Sequence, residues 1–554
     1  MIKRNWILII LTGIVILAAV LRLWQLGNVP PSPDWDEAAL GYDAYSIIHT
    51  GRDEFGKFLP VVLRSFDDYK PALYAYLTIP SILIFGLNVF AVRLPSALFG
   101  IISVVAVFFL VREIFKEHKY RDYLSLASSF LLAISPWSIQ FSRVGFESNV
   151  GNVLNILMAL FFIKGLKKPW KLFLSAFFAG LAIYVYQSEK VFTPLLVLVL
   201  AFIYRKQLFS LSKKYIVSAI IFGLIVVLPM GFYIVTNRAA LLRVTGTSIF
   251  SYQTELLKTD IRKLQRDQEN NNKLGLILDN RRLVYAVTIV SGYISHFDPN
   301  WLFITGDIDR HHAPNMGILY IFEIPLILLG IYFLLFGEFD RKTKLIIFGW
   351  LLIAPLPASI TTGVPHAVRT LNFLPTWQIL SALGVLMGIQ LLSGIKLKIL
   401  GLKVLYIVGA IYLVFSVLNF AYYLNQYFVQ LNYYDSQFWQ YGYKQAVDEV
   451  KLLQNNYKEI VISDKQPMDK SYMFFLFYLQ YSPSEYQKIG ENSSGSFAAH
   501  QAFGRYTFRP IDWKNDSLRK GVLYIGNPDE IPEGSAMKTI NNLDGTPAMR
   551  ISGT

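Results

Sequence analysis

Cysteine is absent from the chain, which removes disulfides, thiolate metal sites and a cysteine nucleophile from its chemistry and leaves its compartment open. Charge is scarce as well: Asp, Glu, Lys and Arg make up 16% of 554 residues, against 54% hydrophobic residues and a mean hydropathy of +0.40. That balance excludes an ordinary soluble domain. The formal excess of +14 is not gathered into one basic face but scattered in short clusters between apolar runs. Such scatter argues against a nucleic-acid partner and for charges that orient a membrane protein. No internal repeat is evident, which weighs against a transporter built from duplicated halves. After the apolar segment 6–21, the stretch Val20-Leu21-Arg22-Leu23-Trp24 lacks a small-x-small cleavage pattern, so the segment reads as a retained signal anchor.

What the chain has in abundance is apolar runs long enough to cross a bilayer, recurring until about Phe420. Lys3 and Arg4 place the N-terminus in the cytoplasm. The basic clusters at Arg112 to Arg121, Lys164 to Lys171, Arg205 to Lys214, Arg341 to Lys344, and Lys396 with Lys398 are then all cytoplasmic if the apolar stretch 72–90 lies on the outer leaflet instead of crossing. Helices are expected at 94–115, 122–141, 149–165, 172–187, 191–204, 215–235, 316–336, 344–360, 371–390 and 399–420, about eleven spans with the first. External loops follow at about 25–93, 236–315 and 361–370, carrying interfacial helices such as 283–297. The expected fold is a mostly α, polytopic membrane domain over 1–425 and a small soluble α/β domain over 426–554. In the latter, helices are expected at 445–454 and 473–481 and strands at 459–463 and 521–525.

The external face collects Asp36, Glu37, Lys70, Arg93, Arg143, Glu147, Glu189, Lys190, Asp307, Arg310, His311, His312, His366 and Arg369. Charges held at a membrane interface are costly unless paired or bound to something charged. A carboxylate there can take a proton from an acceptor hydroxyl, and Lys or Arg can neutralise a phosphate leaving group. Each charge also has a plain structural reading: Asp36-Glu37 as solvated acids or caps, Arg93 as an interfacial anchor, Lys70 as a partner of Asp67 or Asp68. Their presence together in one loop favours a site. Asp307-Ile308-Asp309-Arg310-His311-His312 suggests a divalent ion or a diphosphate, but adjacent His side chains diverge, so a metal is possible and not favoured.

Three motifs carry a family resemblance. Trp35-Asp36-Glu37-Ala38 after the first helix, Lys70-Pro71-Ala72-Leu73-Tyr74, and Val92-Arg93-Leu94-Pro95-Ser96 resemble the polytopic GT-C glycosyltransferases of the protein O-mannosyltransferase and aminoarabinose-transferase-like group, over roughly residues 5 to 235. Ala72 stands where the family often has a second proline. The resemblance implies Asp36 as general base, Glu37 as its orienting partner, Lys70 and Arg93 as donor-phosphate ligands, and Arg143 to Glu147 beside the donor. Arg143, Glu147, Asp307, Arg310, His311, His366 and Arg369 are further donor or acceptor candidates. It implies a polyprenyl-phosphate-linked sugar donor, a lipid, glycan or protein acceptor, the bilayer as surroundings and no required cofactor. A flippase of lipid-linked sugars, using the same charges without bond breaking, is the rival reading, and a receptor or assembly scaffold a third. Acids at helix ends, not mid-helix, favour the enzyme over the flippase.

Overall fold

The computed structural model describes residues 2–66, 68–237, 246–251, 255–399, 402–489 and 501–554. Asp67, parts of the expected 236–315 loop and the start of the helix expected at 399–420 lie outside them. The residues gather into two compact units: Met1–Leu21, Phe99–Phe141 and Glu147–Tyr423 in one, and Arg22–Leu98, Ser142–Phe146 and Leu424–Thr554 in the other.

The first unit is a helical body. Among the described residues of the whole chain, six helices are long and apolar enough to cross a membrane, or seven if the bent pair Arg121–Ile134 and Pro136–Arg143 counts as one span. Other expected spans are built of shorter helices. The apolar runs at 171–182, 189–203, 323–336 and 341–353 form helices of 12 to 15 residues, about 18–23 Å at 1.5 Å per residue. Local backbone chemistry shortens them. Pro136 forces Ser135 to an extended ψ of 125° and bends the expected 122–141 helix by 55°. Turns through Tyr184 to Val191 and at Pro355 interrupt the expected 172–187 and 344–360 helices.

Burial divides the long helices. Glu147–Gly165 has 83% of its apolar window inside the protein and Lys213–Thr236 only 17%, its Ile220, Leu224, Leu228 and Phe232 forming a lipid-facing stripe. The buried helix carries Asn152 and Asn155, and these, with Asn372, hold the Glu189 carboxylate in a closed amide network. Elsewhere Glu323–Phe336 and Thr376–Gly394 touch backbone to backbone: a Cβ at Gly330 would come within 1.9 Å of Leu380 O, and one at Gly384 within 1.9 Å of Leu326 O. Small residues at a helix crossing are the usual means of such approach in lipid.

The second unit begins with Trp35–Thr50, a helix opened by a complete capping box, and continues through the hairpin Val62–Ser65 with Asp68–Pro71 and the 13-residue apolar helix Leu73–Phe85. Asp36 and Glu37 therefore sit on a helix N-terminus, not in an open loop. The C-terminal segment supplies a mixed sheet whose strands run Gln501–Phe503, Tyr506–Phe508, Glu459–Ile462, Val522–Gly526, Pro547–Gly553 and Lys538–Asn541 from edge to edge. Its two central pairings, 459–462 with 506–508 and with 522–526, are parallel and the others antiparallel. Helices Tyr443–Leu453 and Ser471–Leu479 match the expected pair closely. The expected boundary at 425 is where the chain enters this unit for the last time, but the unit also holds the segment 22–98. Tyr42 donates to Tyr481 O at 3.0 Å, and Gln487 donates to Ser46, Thr50 and Asp53 O, which fixes the Asp36-bearing helix against C-terminal residues.

Candidate active site

The site in the second unit is built on the start of Trp35–Thr50. Asp34 caps the helix by accepting the Asp36 amide at 2.8 Å, and its own amide donates to Glu37 Oε2 at 2.9 Å. The two neighbouring acids are thereby sent to different fates. Glu37 is 1% exposed and its carboxylate accepts four hydrogen bonds: from the amides of Asp34 and Gly145, and from Arg93 Nε and Nη2. A Cβ at Gly145 would crowd the pair, sitting 3.2 Å from Glu37 Cγ and 3.4 Å from Tyr74 Oη. Asp36 keeps 31% of its side-chain surface and forms an ion pair with Lys70, which is 8% exposed. A carboxylate at the first turn of a helix also gains from the aligned backbone amides.

Arg93 departs from its expected role as a phosphate ligand. Fully buried, it donates Nε and Nη2 to Glu37, Nη2 also to Ser32 O at 2.7 Å, and Nη1 to Leu26 O at 3.1 Å and Pro30 O at 2.8 Å. A guanidinium has five N–H groups, and all five are engaged. Arg93 is a scaffold that ties the 26–32 turn to the capped helix. Arg143, also fully buried, donates to Val29 O at 3.0 Å and lies over the Phe428 ring at 4.7 Å and the Tyr427 ring at 5.5 Å. A cation that sequence reading passed over stands close by: Lys470 lies over the Trp35 ring at 4.1 Å and pairs with Asp469 at 2.8 Å. Only its position 435 residues after Trp35 hid it; the Asp469-Lys470 dipeptide has no signal of its own.

A second group missed in the sequence is an acid trio behind the same helix. Asp43 and Glu54 are each 1% exposed, Asp43 accepts the Glu54 amide at 3.0 Å, and Asp53 accepts the amides of Phe55 and Lys57. Burial, reinforced by the neighbouring acids, pushes Asp43 and Glu54 well above the usual carboxylate range. A group whose value is raised on folding stabilises fully below its unfolded value of about 4.3 and loses that contribution as pH rises through the folded value. Glu54→Gln is therefore expected to be the more stable protein at alkaline pH, the gap closing on acidification. Thermal midpoints of both proteins from about pH 4 to 9 check it, and a pH-independent gap would refute the assignment.

The remaining candidates belong to the first unit. Glu147 opens the helix Glu147–Gly165 and is buried. Glu189 is locked in the amide network, and Lys190 donates to Gln187 at 2.7 Å. Arg369 donates to Thr361 Oγ1 and Thr362 O, holding the 361–370 loop. The Arg310 carbonyl accepts Gln140 Nε2 at 2.6 Å. Asp307 meets His311 Nδ1 at 2.9 Å and accepts the Ala367 amide at 2.6 Å, with the His311 and His366 rings 5.2 Å apart. Burial raises the Asp307 value most strongly, yet the hydrogen bond and charge of His311, the charge of His366 and the Ala367 amide together hold it down at about 2. His312 turns instead to Ala313 O.

Residues 69–233 match the family described as dolichyl-phosphate-mannose-protein mannosyltransferase, a span that includes Lys70, Arg93, Arg143, Glu147 and Glu189. No curated protein gives a significant match. Among solved structures, ArnT from Cupriavidus metallidurans bound to undecaprenyl phosphate is similar over 99% of both chains, with a TM-score of 0.53 and 11% identity. Its apo state gives a TM-score of 0.54 over 100% of both chains. The archaeal oligosaccharyltransferase AglB from Archaeoglobus fulgidus, in complex with an inhibitory peptide and a dolichol-phosphate, is similar over 95% of this chain and 70% of its own, with a TM-score of 0.51 and 14% identity. The chain has the GT-C glycosyltransferase fold of ArnT and AglB and, over 69–233, the sequence pattern of the dolichyl-phosphate-mannose-protein mannosyltransferases.

Proposed function

We propose that the protein is a multi-pass glycosyltransferase of the cytoplasmic membrane that moves a sugar from a polyprenyl-phosphate carrier to an acceptor hydroxyl on the extracytoplasmic side. The observation that carries the reading is the Asp36–Lys70 pair: one reachable carboxylate held beside one nearly buried ammonium, on a helix start made rigid by Glu37 and Arg93. The fold likeness to a protein bound to undecaprenyl phosphate and to another bound to dolichol-phosphate supports a lipid-phosphate donor.

In this reading Asp36 accepts the proton of the acceptor hydroxyl as its oxygen attacks the anomeric carbon. The bond from that carbon to the carrier phosphate oxygen breaks, and the electron pair leaves with the phosphate. Attack opposite the leaving group inverts the anomeric centre. Lys70 meets the negative charge that develops on the phosphate, a contact of the charge-assisted kind. Since the carrier phosphate is itself a leaving group, the displacement requires no resident metal beside Asp36. Lys470 supplies a second positive charge in the same unit, next to Trp35.

The test is turnover of synthetic polyprenyl-phosphate sugars by the purified, reconstituted protein, following both released polyprenyl phosphate and glycosylated acceptor. Passage of intact donor across the bilayer without cleavage would replace the enzyme by a flippase. Lys70→Ala is expected to raise the donor KM by about tenfold or more, the loss of one buried charge-assisted contact. An unchanged KM would remove Lys70 from the phosphate.

A further inference from the structure

Asp307, His311 and His366 each offer one donor atom, and the three atoms lie within 4.8 Å of one another. Nothing in the glycosyl transfer described for Asp36 uses them. The nearby histidines differ in their hydrogen bonds. His296 donates from Nδ1 to Gly292 O at 2.6 Å, and its Nε2 accepts the His366 amide at 3.2 Å, so both its ring nitrogens are committed. His312 gives Nδ1 to the Ala313 carbonyl. His366 differs: its Nδ1 is buried and makes no hydrogen bond among the described residues. A ring nitrogen withdrawn from water without a partner in the protein is costly. Beside it stand His311 and the carboxylate of Asp307, hydrogen-bonded to each other at 2.9 Å and with side chains only 6% and 7% exposed.

We infer that Asp307, His311 and His366 form a binding site for a borderline transition-metal dication, with zinc as the ion its chemistry fits. Two imidazoles and one carboxylate are the donors such ions take, whereas magnesium and calcium take sets made of oxygen. Bonds of about 2.0–2.2 Å in a tetrahedron put donor atoms about 3.4 Å apart. Closing from 4.8 Å therefore asks for donor movements of about 1 Å, which side-chain rotation provides. Three protein ligands leave a fourth position for water or a polar group of a ligand. The ion would fasten the segment 307–311 to the segment 366–369. These two are otherwise joined by the Asp307 contact with the Ala367 amide, and the latter is anchored by Arg369 on Thr361 and Thr362. It shares no residue with the Asp36–Lys70 pair and stands whether or not glycosyl transfer is the activity.

The experiment uses the full-length protein in detergent with its affinity tag removed, stripped with chelator and then titrated with Zn²⁺ or Mg²⁺. Bound metal is measured by mass spectrometry of the elements, and thermal midpoint in parallel. About one zinc per chain and a raised midpoint are expected, with no effect of Mg²⁺. His366→Gln and Asp307→Asn should each weaken zinc binding by about tenfold or more and abolish the zinc-dependent rise, while His312→Gln keeps both. His311→Gln serves as a third variant should one of the others fail to fold. Zinc retained at the wild-type level by the folded ligand variants, no zinc taken up by the wild type, or an equal midpoint rise with Mg²⁺ would overturn the site.

Discussion

Asp36→Asn is expected to reduce sugar transfer by about 10²–10⁴-fold, the usual worth of a positioned general base, while leaving a folded protein that still binds its donor. The amide is nearly the same size, and the Asp34 cap, which accepts the Asp36 backbone amide, does not involve the Asp36 side chain. What is lost is the ability to accept a proton from the acceptor hydroxyl. Initial rates and donor affinity measured on the same preparation separate the effects: kcat should fall with little change in donor affinity. Transfer at the wild-type rate would remove Asp36 as the base. Glu37→Gln, one residue on, is expected to behave differently, because its four hydrogen bonds include two charge-assisted ones from Arg93. Its main cost is stability.

Arg93→Ala is the second large effect. Removing one member of a buried ion pair costs about 3–5 kcal/mol, because the partner is left charged and unpaired, and here Glu37 would be that partner. Three carbonyls, those of Leu26, Pro30 and Ser32, lose their donors as well. The expected outcome is a steep fall in thermal midpoint and in recovery of monodisperse protein. The double variant Arg93→Ala, Glu37→Ala should lose less than the two single losses added together, since the second change removes the orphaned charge. An Arg93→Ala protein as stable as the wild type, with only donor affinity reduced, would return Arg93 to the phosphate.

The contrast between Asp36 and Glu37 shows where sequence reading stopped. Their position after the first apolar segment, with Lys70 downstream, was legible because charge is rare in this chain and its few external acids stand out. The Asp34-x-x-Glu37 spacing of a capping box was also there to be read, and it marks Glu37 as a helix cap. The structural part of Arg93 was not legible because it depends on three backbone carbonyls from the 26–32 turn, and a carbonyl has no letter in the sequence. The helical membrane body followed from apolar runs. Where Pro136, Pro355 and the turn after Ala182 break helices within apolar stretches, the expected spans are built of shorter or bent pieces. Hydropathy averages over such breaks. The C-terminal helices and central strands were visible as helical patterns and short continuous apolar runs. That this region packs against Tyr42 and Ser46 was not, since nothing local encodes a contact across the chain.

That contact sets the order in which the protein can be made. Tyr42 and Tyr481 lie 439 residues apart, so the helix bearing Asp36 leaves the ribosome long before its packing partner is made. Until then the buried face of Ala38, Ala39 and Tyr42 has no neighbour from the C-terminal sheet domain. Long-range pairings of this kind form late and leave apolar surface exposed in the interval. A chain that stopped after Tyr423 would insert its helices and still lack the support of its candidate base. Synthesis through the sheet domain is thus a condition for assembling the site.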